Sequence, residues 1–337
     1  MAYIPDETRY TNGMNYAMCG ESGLKLPKIS LGLWHNFGDA DDYKKCKAIV
    51  HCAFDHGITY FDLANNYGPP PGAAEENFGK IVKDSLYAYR DELIISTKAG
   101  HTMWKGPYGD GSSRKNLMAS LNQSLKRLQL DYVDIFYSHR YDGITPIEET
   151  MQALIDIVKS GKALYAGISK YPPHLAEQAY KILEAQGVHC LIHQDRYNLF
   201  SRNVENGVLE TTDLNGIGFC AFSPLAQGLL TDKYLNGIPV DSRASRNGSL
   251  KKEQLTQETI GIIRQLNEIA LERGENLAQL ALGWLLKDPR VTTVLVGASS
   301  VNQLINNLGT LSSPELSPED LKRIRSIVGD VSPSSIK

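Results

Sequence analysis

The sequence predicts an α/β chain that closes as a (β/α)8 barrel, and three observations carry that expectation. Short apolar runs recur along the chain, helical patterns alternate with them, and the longest irregular stretches each follow the end of a run. The runs are SLGLW from Ser30, YFDLA from Tyr60, LIISTKA from Leu93, YVDIFYSH from Tyr132, ALYAGIS from Ala163, CLIHQ from Cys190, IGFCAFS from Ile217 and TTVLVGAS from Thr292. Near-continuous apolar character of this length marks strands buried on both faces, as in a parallel sheet covered by helices.

Between the runs lie DDYKKCKAIVHCAFDHG, EENFGKIVKDSL, SRKNLMASLNQSLKRLQL, PIEETMQALIDIVKSGK, PPHLAEQAYKILEAQG, a weaker VENGVLETTDLNG, and ETIGIIRQLNEIALERG. The first, third, fourth and seventh place apolar residues at i, i+3 and i+4 and end near Gly or a basic residue, as helices do. Alternation of strand and helix implies right-handed crossovers, and eight such units close most economically into a barrel.

The irregular stretches are GHTMWKGPYGDGSSR after the third barrel strand and PLAQGLLTDKYLNGIPVDSRASRNGSL after the seventh, with an additional helix, NLAQLALGWLLKDP, before the eighth strand. Loops following strands are where such barrels carry their chemistry. Ahead of the barrel, two apolar pieces flank Glu21, Ser22 and Gly23, a hairpin expected over residues 14–28 and read as a small lid. The barrel is expected over 30–310 and a last helix over 317–328, all within one domain of 1–337.

A chain of 337 residues with 35 basic and 38 acidic side chains has a net charge of -3, which offers no overall basic field for nucleic acid or an anionic membrane. A small molecule is the expected partner. Cys19, Cys46, Cys52, Cys190 and Cys220 are odd in number and scattered, so they read as reduced thiols of a cytoplasmic protein. The first residues lack a basic region followed by an apolar run, and no apolar stretch approaches the roughly 18 residues that span a bilayer. The expectation is therefore a soluble, unexported protein.

Four polar residues fall where the chain leaves successive strands: Asp62, Tyr67, Lys98 and His139. Singly, each has an ordinary reading as a helix cap, a snorkelling amine or a hydrogen-bonded barrel histidine. Together they suggest more. Adjacent strands lie about 4.8 Å apart, so Asp62 and Lys98 can pair, and a cation near Tyr67 is expected to lower its phenol pKa and make it a general acid. His139 can donate to a carbonyl oxygen and steady a developing alkoxide. His189 and His193 lack an acidic third ligand, so no metal centre is expected.

Proton delivery without a metal or nucleophile calls for hydride from a nicotinamide cofactor. No GxGxxG follows a strand. A barrel can instead seat a pyrophosphate at its last strands and an adjacent helix N-terminus, the form of LVGASSVNQLINN around Gly297 and Ser299. Lys233 and Arg243 can clamp phosphates, Phe222 can face a nicotinamide ring, and Gln194 can match its carboxamide.

The segments FDLANNYG, IISTKAG, DIFYSHR, GISKY, SPLAQGLLTDKY, IPVDSRAS and LVGASSVNQL together resemble the aldo-keto reductases, TIM-barrel enzymes, nearly end to end. Within that superfamily the resemblance is to the branch of potassium-channel β-subunits and bacterial L-glyceraldehyde-3-phosphate reductases, with the bacterial enzymes closer. It implies a catalytic tetrad of Asp62, Tyr67, Lys98 and His139. It also implies NADPH contacts at Trp34, Asp62, Ser169, Gln194, Phe222, Ser223, Leu225, Gln227, Gly228, Lys233, Arg243, Gly297, Ser299, Gln303 and Asn307, with Arg243 and Ser299 at the adenosine 2′-phosphate. Two departures, Ser300 in place of an expected Arg and Asn306 in place of an acidic residue, soften the cofactor preference.

The leading expectation is NADPH-dependent reduction of small aldehydes, including glyceraldehyde 3-phosphate and methylglyoxal, with Trp34, Trp104 and Tyr108 lining the mouth beside Tyr67 and His139. The resemblance further suggests a homo-oligomer, a tetramer or octamer. The alternative is an NADP(H)-binding regulatory β-subunit that senses redox state for a partner protein. His139 disfavours it, because such subunits tend to carry Asn there. A Schiff-base lyase is a third option, disfavoured because Asp62 would pair the amine of Lys98.

Overall fold

The computed structural model describes residues 3–235, 237, 250 and 252–329. Its centre is a closed barrel of eight parallel strands: β3 (Ile29–Gly32), β4 (Tyr60–Asp62), β5 (Ile94–Ala99), β6 (Val133–Ser138), β7 (Ala163–Ser169), β8 (Cys190–Arg196), β9 (Gly218–Phe222) and β10 (Val291–Val296). Each strand pairs with the next in sequence, and β10 closes the ring by pairing with both β3 and β9. Every expected strand forms within two residues of its predicted start.

The helices are α1 (Tyr43–Asp55), α2 (Ala73–Ile81), α3 (Arg114–Leu128), α4 (Ile147–Lys159), α5 (Pro173–Glu184), α6 (Val208–Leu214), α7 (Gln257–Glu272), α8 (Leu277–Leu286), α9 (Val301–Leu308) and α10 (Pro318–Val328). Local chemistry sets several of their starts. Asp42 accepts from Lys44 N at the head of α1, and Asn276 with Gln279 and Ser317 with Asp320 form reciprocal capping boxes on α8 and α10. None of the described helices is long and apolar enough to cross a membrane.

Strand alternation divides the core in two. In β4, Phe61 turns outward to meet Phe78 of α2 at 5.2 Å between ring centroids, while Tyr60 and Asp62 share the opposite, inward face. Tyr60, Ile135, Tyr137, Leu191, Cys220 and Leu295 make a separate apolar cluster, and Cys19 and Leu26 join it from the N-terminal segment. The larger cluster fills the layer between barrel and helices.

The N-terminal segment forms the expected hairpin, β1 (Tyr16–Met18) against β2 (Lys25–Pro27). It lids the end of the barrel where the strands begin. Glu21 N donates to Gly216 O at 2.8 Å and Lys28 Nζ to Val291 O at 3.1 Å, so the hairpin plugs the N-terminal end of the barrel. Gly20 permits the approach: its φ is +57°, and a Cβ there would lie 2.0 Å from Gly216 O. The opposite end, where the strands finish, stays open to loops.

Candidate active site

Strand register assembles the site at that open end. Asp62 pairs with Ser96 across β4 and β5, which places Lys98 two residues further along on the same inward face. Lys98 Nζ donates to Asp62 Oδ2 at 2.5 Å and to Leu63 O at 2.6 Å, and reaches the Tyr67 hydroxyl at 3.5 Å. The other carboxylate oxygen of Asp62 accepts from Ser96 Oγ at 2.7 Å, Gln194 Nε2 at 3.0 Å and Tyr60 OH at 3.2 Å. A buried ion pair is tolerable only when its remaining lone pairs and protons are satisfied, and this carboxylate is saturated. Lys98 itself is wholly buried.

Tyr67 enters from the turn after β4, where its N–H donates to Ala64 O at 3.1 Å. His139 follows β6, held by its N–H to Ala99 O at 2.9 Å. Their rings meet edge to face with centroids 6.0 Å apart, and Trp34 lies 6.3 Å from Tyr67. The four predicted residues are thus brought together. His139 Nδ1 is buried with no hydrogen-bond partner among the described residues.

Electrostatics correct one expectation. Burial raises the Tyr67 phenol well above its usual value of 10, and the Asp62 carboxylate adds to the effect. A net acidifying effect of Lys98 is not seen, because burial and the Asp62 carboxylate, itself in contact with the ammonium, outweigh it. Tyr67 therefore holds its proton at neutral pH. Burial also lowers Lys98, with Asp62 opposing the shift, and burial followed by the field of Lys98 pushes His139 well below 6.5. The imidazole is neutral, a hydrogen-bond donor rather than a cation.

A cleft of about 670 Å³ runs from this cluster across the last strands. Trp34, Asp62, Tyr67, Gln194, Phe222, Ser223, Leu225, Gln227, Gly228, Lys233, Gly297, Ser299 and Gln303 all line it. Its floor beyond β9 is a turn in which Ser223, Ala226 and Gln227 all have positive φ, an arrangement held partly by Asn198 Nδ2 donating to Ser223 O at 2.9 Å. Ser169 Oγ and Asn307 Nδ2 are buried and have no hydrogen-bond partner among the described residues. A long cleft with Ser299 and Gln303, at the start of α9, on its wall fits an extended dinucleotide.

Some predicted contacts lie elsewhere. Arg243 is outside the described residues. Trp104 and Tyr108 are not among the residues lining the cleft, and neither are His139, Ser169 and Asn307; the loop that carries Trp104 and Tyr108 ends at Ser112, whose N–H donates to Asp142 Oδ2 at 2.7 Å and whose Oγ donates to Arg140 O at 2.9 Å. Tyr108 is 59% exposed. Gln194 has already committed an amide N–H to Asp62. Sequence reasoning missed the supporting shell of Tyr60 and Ser96, although each stands two residues before a predicted site residue and so shares its face. It also passed over His101, whose ring meets His139 at 4.4 Å, and Lys170 next to it.

A barrel with an acid–amine–phenol–imidazole cluster at its C-terminal mouth defines a class of carbonyl-reducing oxidoreductases, and comparison with known proteins agrees. Residues 28–328 match the aldo/keto reductase family, and the chain belongs to that family. It is 55% identical over 335 residues to the L-glyceraldehyde 3-phosphate reductase of Escherichia coli O157:H7, covering 98% of this chain and 96% of that protein. The enzyme of the same name from Escherichia coli strain K12 is 54% identical over the same span. A probable voltage-gated potassium channel subunit beta of Oryza sativa subsp. japonica is 38% identical over 323 residues, 94% of this chain and 97% of that protein. The chain is an oxidoreductase, and aldo/keto reductases generally use NAD(P)H.

Proposed function

We propose that this enzyme reduces small aldehydes to alcohols with NADPH, L-glyceraldehyde 3-phosphate and methylglyoxal among them, and that Tyr67 supplies the proton. The observation that carries the reading is the wholly buried Lys98, at 2.5 Å from Asp62 and 3.5 Å from the Tyr67 hydroxyl, beside the cleft. The 55% identity to an L-glyceraldehyde 3-phosphate reductase supports the substrate.

In this reading the carbonyl oxygen lies between the Tyr67 hydroxyl and the His139 ring. When bound, the nicotinamide cofactor supplies the hydride that forms the new C–H bond. As the C=O π bond opens, negative charge collects on oxygen. Neutral His139 donates a hydrogen bond to that oxygen, in a site largely cleared of water where such a bond is strong. Tyr67 then releases its proton to it. A phenol with a raised pKa still gives its proton readily to an alkoxide, which is far more basic than a phenolate, so burial does not disqualify Tyr67 as the acid. Lys98 acts on the product of that transfer. Its ammonium at 3.5 Å steadies the phenolate left behind.

Asp62 holds the ammonium in place and keeps it charged despite burial. Trp34, Gln194, Phe222 and the 223–228 turn would hold the cofactor, and Ser169 and Asn307 are assigned to it on the strength of the resemblance. Lys233, Ser299 and Arg243 are assigned to its phosphates, Arg243 on the strength of the resemblance alone. The test is oxidation of NADPH followed at 340 nm over a panel of phosphorylated and unphosphorylated aldehydes. Turnover of the three-carbon aldehydes is expected. Cofactor binding without turnover of any aldehyde would overturn the reading.

A further inference from the structure

Lys170 follows β7 at the same end of the barrel as Lys98 and His139, yet the chemistry above does not use it. Its backbone is left-handed, with φ at +59°, and its N–H donates to Gln194 O at 3.1 Å. A lysine in that conformation is uncommon and gains nothing from it locally. Its ammonium lies 3.3 Å from His101 Nε2, His101 meets His139 at 4.4 Å, and His139 meets Tyr67 at 6.0 Å. The amine is thus linked to Tyr67 through His101 and His139.

Phe222, which lines the cleft, is shared by two cations: Lys170 Nζ is 5.5 Å and the Arg196 guanidinium 6.0 Å from its ring centre. Among the described residues neither cation has a carboxylate within 4.0 Å. Arg140 nearby differs, since it is paired with Asp110 at 3.1 Å. Burial and the neighbouring Lys98 hold Lys170 at about 8, and Asp195, itself raised to about 6 by burial, opposes that shift. A half-buried amine among like charges is a group that an incoming anion would relieve. Because the ammonium donates to His101 Nε2, the imidazole proton sits on Nδ1, a further donor.

We propose that Lys170, with Arg196 and His101, forms an anion subsite beside Phe222 of the cleft wall that seats the phosphate of a short phosphorylated aldehyde. The inference rests on the reductase reading and deepens it. A three-carbon aldehyde whose carbonyl lies between Tyr67 and His139 points its far carbon past His139, toward His101 and Lys170. Lysine suits a phosphate as a point charge, and Arg196 adds a second cation.

The experiment has a binding arm and a turnover arm. Calorimetry on the NADP⁺-loaded enzyme with sn-glycerol 3-phosphate, against glycerol, reads the subsite without catalysis. Lys170→Gln is expected to weaken glycerol 3-phosphate roughly tenfold or more, and Lys170→Arg to recover most of that loss. The ratio of kcat/KM for glyceraldehyde 3-phosphate over glyceraldehyde should fall by a similar factor in Lys170→Gln. Should that variant fail to fold, Arg196→Gln, on an exposed side chain, is expected to lower both quantities about threefold. Unchanged glycerol 3-phosphate affinity and an unchanged ratio would overturn the subsite while leaving aldehyde reduction intact. Lys170-dependent binding in an enzyme that reduces no aldehyde would keep the subsite and remove the reductase reading.

Discussion

Two buried carboxylates, each in an ion pair, are bound by β5 from its opposite faces. Lys98 points into the barrel toward Asp62, and its neighbour Thr97 points outward, donating at 2.5 Å to Glu75, which pairs with Arg127 at 2.7 Å. Both carboxylates are fully buried or nearly so. The outer pair is closed on itself: Glu75 is matched by a guanidinium and a hydroxyl, Arg127 also reaches Ser124, and among the described residues no other titratable group hydrogen-bonds or ion-pairs with them. The inner pair leaves its amine in reach of a phenol, with Asp62 on the cleft wall. One strand therefore supports a structural salt bridge between α2 and α3 through Thr97 on one face and carries the amine of a chemical one, Lys98, on the other. What separates them is the neighbour, not burial or distance.

That contrast can be broken by mutation, and the largest effect should come from Tyr67→Phe. Removing the hydroxyl is expected to lower kcat for aldehyde reduction by about 10³-fold, while stability stays within about 1 kcal/mol because Lys98 keeps Asp62 and Leu63 O as partners. Steady-state kinetics alongside urea unfolding would reveal any departure. Lys98→Met should lower kcat by about 10²-fold and also cost about 3 kcal/mol, since it leaves Asp62 buried without its cation. Ser96, Tyr60 and Gln194 would soften the loss.

Glu75→Gln should behave in the opposite way. Breaking the outer pair is expected to cost about 3–5 kcal/mol in urea unfolding, with kcat per folded molecule unchanged. A loss of turnover in folded Glu75→Gln would show that the two pairs are not separate. A smaller effect concerns pH. The Lys170 amine is charged below about 8 and loses its proton as pH rises through that value, among Lys98, Arg140, Arg196, His101, Asp195 and Asp110. A phosphate monoester takes its second charge near a pKa of about 6. Preference for a phosphorylated over an unphosphorylated aldehyde should therefore be greatest between these values and decline above about 8, measured as a ratio of kcat/KM in one buffer series.

Much of this was legible in the sequence, for identifiable reasons. Buried parallel strands announce themselves as apolar runs, so all eight were placed, and polar residues ending those runs stood out against them. The Asp62–Lys98 pair followed from strand spacing. Properties set by distant or collective contacts were not legible. Which end of the barrel the hairpin plugs depends on Gly20 meeting Gly216, and the commitment of Gln194 to Asp62 joins residues 132 apart. The Tyr67 shift depends on total desolvation, which one sequence does not display. Lys170 was visible in GISKY as a lysine ending an apolar strand, the same signal that singled out Lys98, and it lacked an acidic partner at a neighbouring strand end to draw attention to it.

The central claim is that the Lys98 ammonium acts on the reaction through the Tyr67 hydroxyl, and a double-mutant cycle on kcat tests it most directly. If the ammonium works by steadying the phenolate, Lys98→Met should add little, within about threefold, once Tyr67→Phe has removed the phenol. Losses that multiply instead, so that the double variant falls by the product of the two single effects, would contradict it.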